Sequence, residues 1–234
     1  MLKKSHKIIS SIAFIIIEVV LWCLILTIDG NANKYLSFSS VLLAFLFSLP
    51  FIGLKKHGYL TQIALLFTVT ADVFLVLLDV QNKSVAMTSF SVVQIAYFIR
   101  ICLETKNKKV NLINLIVRVV LSVAIEIITL LVLKENVDYV SLISMFYYVN
   151  LILNVVFAFV IIKKVPLLAI GLLCFLLCDT FVGLSMAIGT YISISANTWI
   201  YNVVFAPFNF IWFFYVPSQA LLALSCVWKK KVLT

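Results

Sequence analysis

Charged residues and backbone-breaking residues are scarce in this chain of 234 residues. Only 12% of the residues are charged, nine of them acidic, and the chain contains two histidines, six glycines and four prolines. So few charges exclude an ordinary soluble domain, in which about a quarter of the residues are charged. No Pro-, Gly- or Ser-rich tract interrupts the sequence, so we expect one domain over residues 1–234.

Apolar residues fill the chain instead. They make up 64% of the sequence, and the mean hydropathy is +1.18. Stretches of about 20 apolar residues, long enough for a helix to cross a hydrocarbon core of roughly 30 Å, occur at residues 8–27, 36–54, 59–78, 85–103, 111–133, 140–162, 167–188 and 200–228. They predict an all-α, polytopic bundle of about eight transmembrane helices, integral to what we expect is a bacterial cell membrane.

Basic residues are grouped at the two termini and in alternate loops. These groups are Lys3, Lys4 and Lys7; Lys55 and Lys56; Lys106, Lys108 and Lys109; Lys163 and Lys164; and Lys229 to Lys231. Because cytoplasmic loops retain Lys and Arg, both termini are predicted to be cytoplasmic. The net charge of +9 is spread over small groups, so we expect contact with anionic membrane lipids and no binding of nucleic acid.

The metal-binding residue types do not form a recognised motif. The five cysteines lie inside predicted spans, and both histidines, His6 and His57, lie at the cytoplasmic edge. The cysteine spacing fits neither a disulfide framework nor a metal site, so the cysteines are interpreted as small apolar residues. We expect no metal and no cofactor.

Polar side chains inside the predicted spans are the main candidates for function. They are Glu18, Asp72, Gln94, Arg118, Glu126, Asn150, Asn154, Asp179 and Gln219. A charged residue at the centre of a spanning helix costs about 2.5 to 3.5 kcal/mol on insertion scales, so it usually faces the bundle interior or a wet cavity. The alternative is a hydrogen bond that ties two helices together, which we favour for Arg118 and Glu126, with Arg118 extending to the cytoplasmic edge.

The depths of these residues predict one shared site. Asp72 and Asp179 lie 16 and 15 residues beyond the cytoplasmic Lys56 and Lys164, which at the helical rise is roughly 23 Å for each. Measured in the same way from the nearest cytoplasmic lysine, Gln94 and Gln219 lie at depths of roughly 15 to 18 Å. Glu18 lies at a depth of roughly 16 Å and Asn150 at roughly 20 Å. We therefore expect the two carboxyls to meet, with the amides and Glu18 close by.

Two local features support close packing around this level. Gly171, Asp179 and Gly183 share one side of the seventh span, where small residues allow a neighbouring helix to approach closely. In the eighth span, Pro217 leaves the carbonyl of Phe213 without its usual helical donor. Irregular backbone at this depth is tolerated where it is buried in protein or lines a cavity.

The two halves of the chain also resemble each other weakly. The segments "ALLFTVTADVFLVL" and "GLLCFLLCDTFVGL" align with Asp72 on Asp179, and each lies in the third span of a four-span half. A glutamine follows in the fourth span of each half. The pattern suggests a possible 4+4 internal repeat, which would place paired residues at the interface of the halves.

Four motifs resemble those of the YhhN-like lysoplasmalogenases, multi-pass enzymes of about eight helices. The family's G-D, F-x-x-x-H-x-x-Y, S-D and Y-x-x-x-Q patterns, in helices three, four, seven and eight, are matched in order by Ala71 and Asp72; Phe90, Gln94 and Tyr97; Cys178 and Asp179; and Tyr215 and Gln219. Order and spacing hold along roughly three quarters of the chain. Ala71, Cys178 and Gln94 depart from the family's Gly, Ser and His.

The resemblance implies hydrolysis of the vinyl ether of a lysoplasmalogen, a lysolipid substrate, to a fatty aldehyde and glycerophosphoethanolamine or glycerophosphocholine. This reaction needs an acid and a water-directing base, and two close carboxyls that share one proton suit the division. Asp72 and Asp179 are the predicted catalytic pair, with either as the acid. The predicted substrate-binding residues are Glu18, Gln94, Tyr97, Asn150, Tyr215 and Gln219.

Two other functions fit the same residues. Intramembrane acids also bind cations or relay protons in transporters, so a small-molecule or ion carrier is the first alternative. The second is a family member that binds a lysolipid without catalysis, because the glutamine at position 94 cannot transfer a proton as a histidine does.

Overall fold

The computed structural model describes residues 4–54, 56–78, 82–190 and 194–228. Lys3, Lys55 and Lys229 to Lys231, which contributed to the predicted orientation, lie outside the described residues. Within the described residues the chain forms nine α-helices: α1 (Lys4–Thr27), α2 (Asn31–Ser48), α3 (Tyr59–Asp72), α4 (Lys83–Thr105), α5 (Lys108–Leu133), α6 (Tyr139–Val160), α7 (Pro166–Thr190), α8 (Trp199–Val204) and α9 (Phe210–Val227). All except α8 belong to eight helical stretches long and apolar enough to cross a membrane, which confirms the all-α bundle of eight spans.

The eighth span begins later than predicted. Instead of one helix over residues 200–228, α8 ends at Val204 and α9 begins at Phe210. Pro207 lies in the connection, where it cannot donate a backbone hydrogen bond. Asn209 then starts α9, because its side-chain oxygen accepts a hydrogen bond from the backbone N–H of Trp212 at 3.2 Å, as an N-cap residue does.

The core lies between seven of the helices. Helix α9 packs against α7, α2 and α1, while α4 packs between α3 and α6. Helix α5 packs mainly against α6, and its outward residues Leu131 and Val132 are 68% and 71% exposed. In a membrane these side chains face lipid, so α5 is a peripheral helix.

The start of α1, the end of α9 and two predicted cytoplasmic loops lie at the same end of the bundle. Lys7 Nζ donates a hydrogen bond to the carbonyl of Val227 at 3.2 Å, and Trp228 Nε1 donates to Ser11 Oγ at 3.0 Å. Lys164 Nζ in the α6–α7 connection donates to the carbonyl of Glu104, at the end of α4. Here this end is called the terminal end, and the other the opposite end.

One of the two glycines expected to permit close packing in α7 does so. A methyl group on Gly171 would lie 3.0 Å from Leu222 Cγ and 3.2 Å from the Leu222 backbone nitrogen, so α7 and α9 approach closely there. The prediction for Gly183 is wrong, because nothing lies within 4 Å of the equivalent position. Helices α7 and α9 remain in contact near this level, where the Phe181 ring stacks on those of Phe210 and Phe214, but Gly183 takes no part in the contact.

A side chain of α1 compensates for Pro217 in α9. The indole N–H of Trp22 donates a hydrogen bond to the carbonyl of Phe213 at 3.2 Å, the carbonyl that the proline leaves without its helical donor. The Trp22 and Phe213 rings also pack with centroids 5.2 Å apart. The freed carbonyl is therefore satisfied by a donor within the protein, as backbone polar groups at membrane depth must be.

Helix α3 changes form directly after Asp72. Residues Val73–Leu77 form a π-helical turn, and the N–H of Leu78 donates to the carbonyl of Val73 at 3.0 Å. Such turns occur often at functional sites. The hydropathy pattern gave no indication of this change, and it places Asp72 at the last regular turn of its helix.

Candidate functional site

Asp72 and Tyr215 form the centre of the candidate site. The Tyr215 hydroxyl donates a hydrogen bond to Asp72 Oδ2 at 2.8 Å, which joins α3 to α9. Both side chains are buried, at 3% and 5% exposure. The Asp72 carboxyl therefore points to a hydroxyl donor inside the bundle, and not to lipid or to an aqueous surface.

Asp179 of α7 completes a carboxyl pair with Asp72. The two carboxyls lie within electrostatic range, and the charge of Asp72 disfavours a charge on Asp179. Asp179 is half-buried, and among the described residues its Oδ2 has no hydrogen-bond partner. The structure therefore brings together the two acids that the depth argument placed at one level, while their catalytic role stays a prediction.

Cys178 lies in the same site, although it was interpreted from the sequence as a small apolar residue. It is 2% exposed and within electrostatic range of Asp72 and Tyr215. Its position directly before Asp179, where the resembled motif has Ser, was the sequence signal that could have identified it. The site is therefore built from α3, α7 and α9.

Aromatic packing fixes the direction of Tyr215. Its ring lies 5.7 Å from that of Phe175 and 5.4 Å from that of Trp212, measured between centroids. Phe175 in turn contacts the Phe90 ring of α4 at 5.9 Å. Pairs of this kind favour edge-on or offset contacts, so the tyrosine hydroxyl is held toward Asp72 by rings from α4, α7 and α9.

Three predicted substrate-binding residues are buried in the core below this site. Gln94 and Gln219 are fully buried, each with one amide atom that has no partner among the described residues: Nε2 of Gln94 and Oε1 of Gln219. The Tyr97 hydroxyl is also buried without a partner there. The two glutamine side chains hydrogen-bond to residues other than Asp72 and Asp179. Gln94 accepts a hydrogen bond from Asn154 at 3.0 Å, and Gln219 donates one to Ser218 at 3.4 Å.

Asn150 belongs to a second polar cluster, centred on Arg118. The guanidinium of Arg118 donates to Asn150 Oδ1 at 2.5 Å and to Asn154 Oδ1 at 2.9 Å, and it lies 4.4 Å from the centre of the Phe98 ring. Asn154 Nδ2 donates onward to the carbonyl of Gln94 at 2.8 Å. Arg118 is 7% exposed, so it ties α5 to α6 as expected, but the prediction that it reaches the cytoplasmic edge is wrong.

Glu18 lies between α1 and α2 rather than beside the carboxyl pair. Its Oε2 accepts a hydrogen bond from Ser40 Oγ at 2.6 Å, and the residue is 3% exposed. Depth alone placed it at the level of the site, but depth does not specify which neighbouring helix a side chain contacts. In the structure it acts as an interhelical tie.

Sequence reasoning missed the structural role of Arg100. This residue is fully buried and donates hydrogen bonds to Thr61 of α3 and to the hydroxyl and carbonyl of Ser225 in α9, the last two at 2.8 and 3.0 Å. Its position within a predicted span was visible, but nothing in the sequence named its partners. Arg100 joins three helices on the terminal side of the carboxyl pair.

Two shallow cavities in the described part of the chain lie away from the carboxyls. One of about 370 Å³ lies between α7 and the α8–α9 connection, where Phe181, Ser185 and Phe208 line it. The other, of about 550 Å³, lies at the terminal end beside Thr105 and Lys163. Neither is lined by Asp72 or Asp179.

These features define an integral, multi-pass membrane protein with a carboxyl pair in the interior of its helix bundle. A family model described as the YhhN family matches residues 33–226. The chain therefore belongs to the YhhN family, which confirms the resemblance seen in its motifs. The match includes every predicted site residue except Glu18. No curated protein and no solved structure matches the chain.

Proposed function

We propose that this protein is a membrane-embedded hydrolase that cleaves the vinyl ether bond of a lysoplasmalogen, with Asp72 and Asp179 as its acid–base pair. The products are a fatty aldehyde and glycerophosphoethanolamine or glycerophosphocholine. The observation that carries the proposal is the meeting of two carboxyls from α3 and α7 with the Tyr215 hydroxyl of α9 in the bundle interior. Membership of the YhhN family supports the choice of reaction.

The surroundings of the two acids divide their roles. Asp72 accepts a hydrogen bond from Tyr215, and a hydroxyl donor stabilises a carboxylate. Asp179 has one buried oxygen without a partner among the described residues and faces the charge of Asp72. Because two adjacent carboxyls resist being ionised together, we assign the shared proton to Asp179, which acts as the acid, and the base role to Asp72.

The reaction then proceeds with balanced proton transfers. Asp179 protonates the vinyl carbon that is distant from the ether oxygen, and an oxocarbenium ion forms at the adjacent carbon. Water adds to that carbon and gives its proton to Asp72. The resulting hemiacetal collapses, its carbon–oxygen bond to glycerol breaks, and the aldehyde and the glycerol hydroxyl leave. The pair still holds one proton, which returns to Asp179 for the next turnover.

The test is aldehyde release from lysoplasmalogen by the purified protein in lipid nanodiscs. Asp72→Asn and Asp179→Asn are each expected to lower kcat by about 10²- to 10⁴-fold, the usual contribution of a general acid or base. Glu126→Gln is the matched control, because it also neutralises a carboxyl in a span, but on the peripheral helix α5. Its kcat should stay within about twofold of the native value, because surface changes away from the site have small effects.

Three results would overturn the proposal. The first is undiminished turnover in either aspartate variant, with the thermal unfolding temperature unchanged. The second is aspartate-dependent uptake of a solute into proteoliposomes without chemical change, which would indicate a transporter. The third is the absence of turnover in the native protein together with its appearance in Gln94→His, which would indicate a family member that binds lipid without catalysis. Turnover by the native protein excludes that last alternative.

A further inference from the structure

Lysines from two separate parts of the sequence meet at one corner of the terminal end. Lys164 Nζ donates hydrogen bonds to the carbonyls of Glu104 and Thr105, each at 3.4 Å, so the α6–α7 connection lies against the end of α4. The α4–α5 connection begins directly after Thr105. The two segments together bring five lysines to this corner, namely Lys106, Lys108, Lys109, Lys163 and Lys164. Two groups that are distinct in the sequence therefore form one basic cluster in the fold.

Little negative charge offsets this basic cluster. Residues 104–110 and 160–166 contain a single acidic residue, Glu104. Lys108 and Lys109 lie in the first turn of α5, which contains no acidic residue, and the N-terminal end of a helix itself carries partial positive charge. Like charges held close together repel one another. An anionic group at this corner would reduce that repulsion.

The shallow cavity of about 550 Å³ opens at the same corner and is called the basic cleft here. Its volume lies within the range of about 300–1,000 Å³ that is typical of ligand sites. Apolar walls are formed by Val110 of α5 and by Phe159 and Val160 of α6, and the exposed Lys163 and Lys164 also line it. Val160 is 62% exposed, and in a membrane such a side chain faces lipid. The basic cleft is therefore accessible from the bilayer.

The order of charge and apolar surface indicates which anion fits. The lysines lie in the connections and at the start of α5, at the membrane surface, whereas Val110 and Phe159 lie inside the spanning helices. A glycerophospholipid has the same order, with its phosphate at the surface and its acyl chains below. Basic pockets between transmembrane helices on the cytoplasmic side bind anionic headgroups in this way. A free phosphate ion would use the lysines but leave the apolar walls uncovered.

We infer that the basic cleft binds an anionic diacyl glycerophospholipid of the surrounding leaflet. Its headgroup phosphate lies at Lys163 and Lys164, and the upper part of one acyl chain lies in the cleft. The lipid contacts both α5 and α6, so it holds the peripheral helix α5 against the bundle. Because the cleft is not lined by Asp72 or Asp179, this lipid is a bound component of the fold, and its binding does not depend on the proposed hydrolysis.

Native mass spectrometry of the full-length protein in detergent tests the headgroup contact. The probes are phosphatidylglycerol and phosphatidylcholine with identical acyl chains, and the native protein should bind phosphatidylglycerol more tightly. Lys163→Gln should weaken phosphatidylglycerol binding by about fivefold, the equivalent of about 1 kcal/mol for one lysine near anionic lipid. It should leave phosphatidylcholine binding unchanged.

Lys56→Gln is the matched control for that variant. Lys56 is also exposed, and its connection lies at the terminal end, where the Cys226 thiol contacts the carbonyl of Gly58 at 3.7 Å. Lys56 does not line the basic cleft. Its replacement should therefore change phosphatidylglycerol binding by less than about twofold.

A second pair of variants tests the acyl-chain contact. Val160→Trp places a larger side chain in the cleft and should weaken phosphatidylglycerol binding by about tenfold, because the added ring overfills the space that the chain occupies. Val156→Trp is the matched control, since Val156 lies one turn earlier on α6, is 50% exposed and does not line the cleft. Its affinity for the lipid should stay within about twofold of native.

Three results would overturn this inference. The first is equal affinity of the native protein for the two lipids, or equal effects of Lys163→Gln and Lys56→Gln. The second is displacement of phosphatidylglycerol by millimolar inorganic phosphate, which would assign the lysines to a free anion. The third is a dimer in the same spectra that Val160→Trp abolishes, which would assign the cleft to a second copy of the chain.

The inference and the proposed hydrolysis fail separately. Lipid binding in the expected pattern by a protein that releases no aldehyde would retain the basic cleft and remove the hydrolase. Aldehyde release by a protein without selective lipid binding would do the reverse. Thermal unfolding of each variant identifies any loss of binding that comes from misfolding, and phosphatidylglycerol should raise the unfolding temperature of the native protein more than that of Lys163→Gln.

Discussion

At the scale of single residues, the hydroxyl of Tyr215 sets the environment of Asp72. Tyr215→Phe removes this hydrogen bond and keeps the ring contacts with Phe175 and Trp212. A hydrogen bond to a charged group contributes about 1.5–3 kcal/mol, so kcat for lysoplasmalogen should fall by about 10- to 100-fold. KM should change little, because the apolar contacts that hold the lipid chain are unaltered.

Tyr147→Phe supplies the matched control for that measurement. Tyr147 is also a buried tyrosine in ring contact with Phe90, but its hydroxyl has no partner among the described residues. Removing an unsatisfied buried hydroxyl is neutral or stabilising, so its kcat and unfolding temperature should be preserved. A fall in kcat of equal size in the two variants would contradict a specific role for the Tyr215–Asp72 bond.

Two buried arginines show how this bundle accommodates charge without carboxylate partners. Within the described residues, Arg100 donates to hydroxyl and carbonyl oxygens, and Arg118 donates to asparagine oxygens and lies over Phe98. These neutral acceptors do not compensate the positive charge, but they accept hydrogen bonds from most of the guanidinium N–H groups. A polar group buried away from water mainly requires such hydrogen bonds. The acids of the candidate site are thereby not used as counter-ions and stay available for chemistry.

At the scale of elements, the α7–α9 contact positions Asp179 relative to Tyr215. Gly171→Ala places a methyl group 3.0–3.2 Å from Leu222, including its backbone nitrogen, so Leu222 and its helix must give way by a few tenths of an ångström. The cost is about 1–3 kcal/mol, and the unfolding temperature in detergent should fall by several degrees. Gly183→Ala is the control, since the added methyl group meets open space and alanine favours helix over glycine by about 1 kcal/mol.

Gly171→Ala is therefore expected to lower the unfolding temperature, whereas Gly183→Ala, the same substitution on the same helix, is expected to raise it. A Gly171→Ala protein as stable as Gly183→Ala would show that α7 and α9 do not pack as closely as described. Because Asp179 lies eight residues after Gly171, the shift should also lower kcat in Gly171→Ala.

At the scale of the whole molecule, the distribution of lysines predicts the orientation of the bundle. The lysine-rich terminal end is predicted to be cytoplasmic. Protease added to inverted membrane vesicles should therefore digest a tag placed at the C-terminus, whereas right-side-out vesicles should protect the tag.

Protection of the tag in inverted vesicles, together with its digestion in right-side-out vesicles, would contradict the predicted orientation. Turnover of lysoplasmalogen by the purified protein in nanodiscs does not depend on orientation, so the proposed function is tested separately.

The sequence by itself determined the eight spans and the common depth of the two acids. Both depend on quantities that are local to the chain: the apolar length needed to cross a bilayer and the constant rise of a helix. The motifs of the YhhN family likewise follow from residue order. The predicted 4+4 repeat and the cytoplasmic termini stay predictions.

Only the tertiary structure decided which polar residues meet. Asn150 and Glu18 lie at suitable depths, yet they contact Arg118 and Ser40 instead of the carboxyl pair. Depth is one coordinate, and the other two depend on how the helices pack laterally and on how each is rotated, which are set by many contacts between distant segments. The same reason explains why Gly171 packs against Leu222 while Gly183, on the same helix, has no neighbouring atom in front of it.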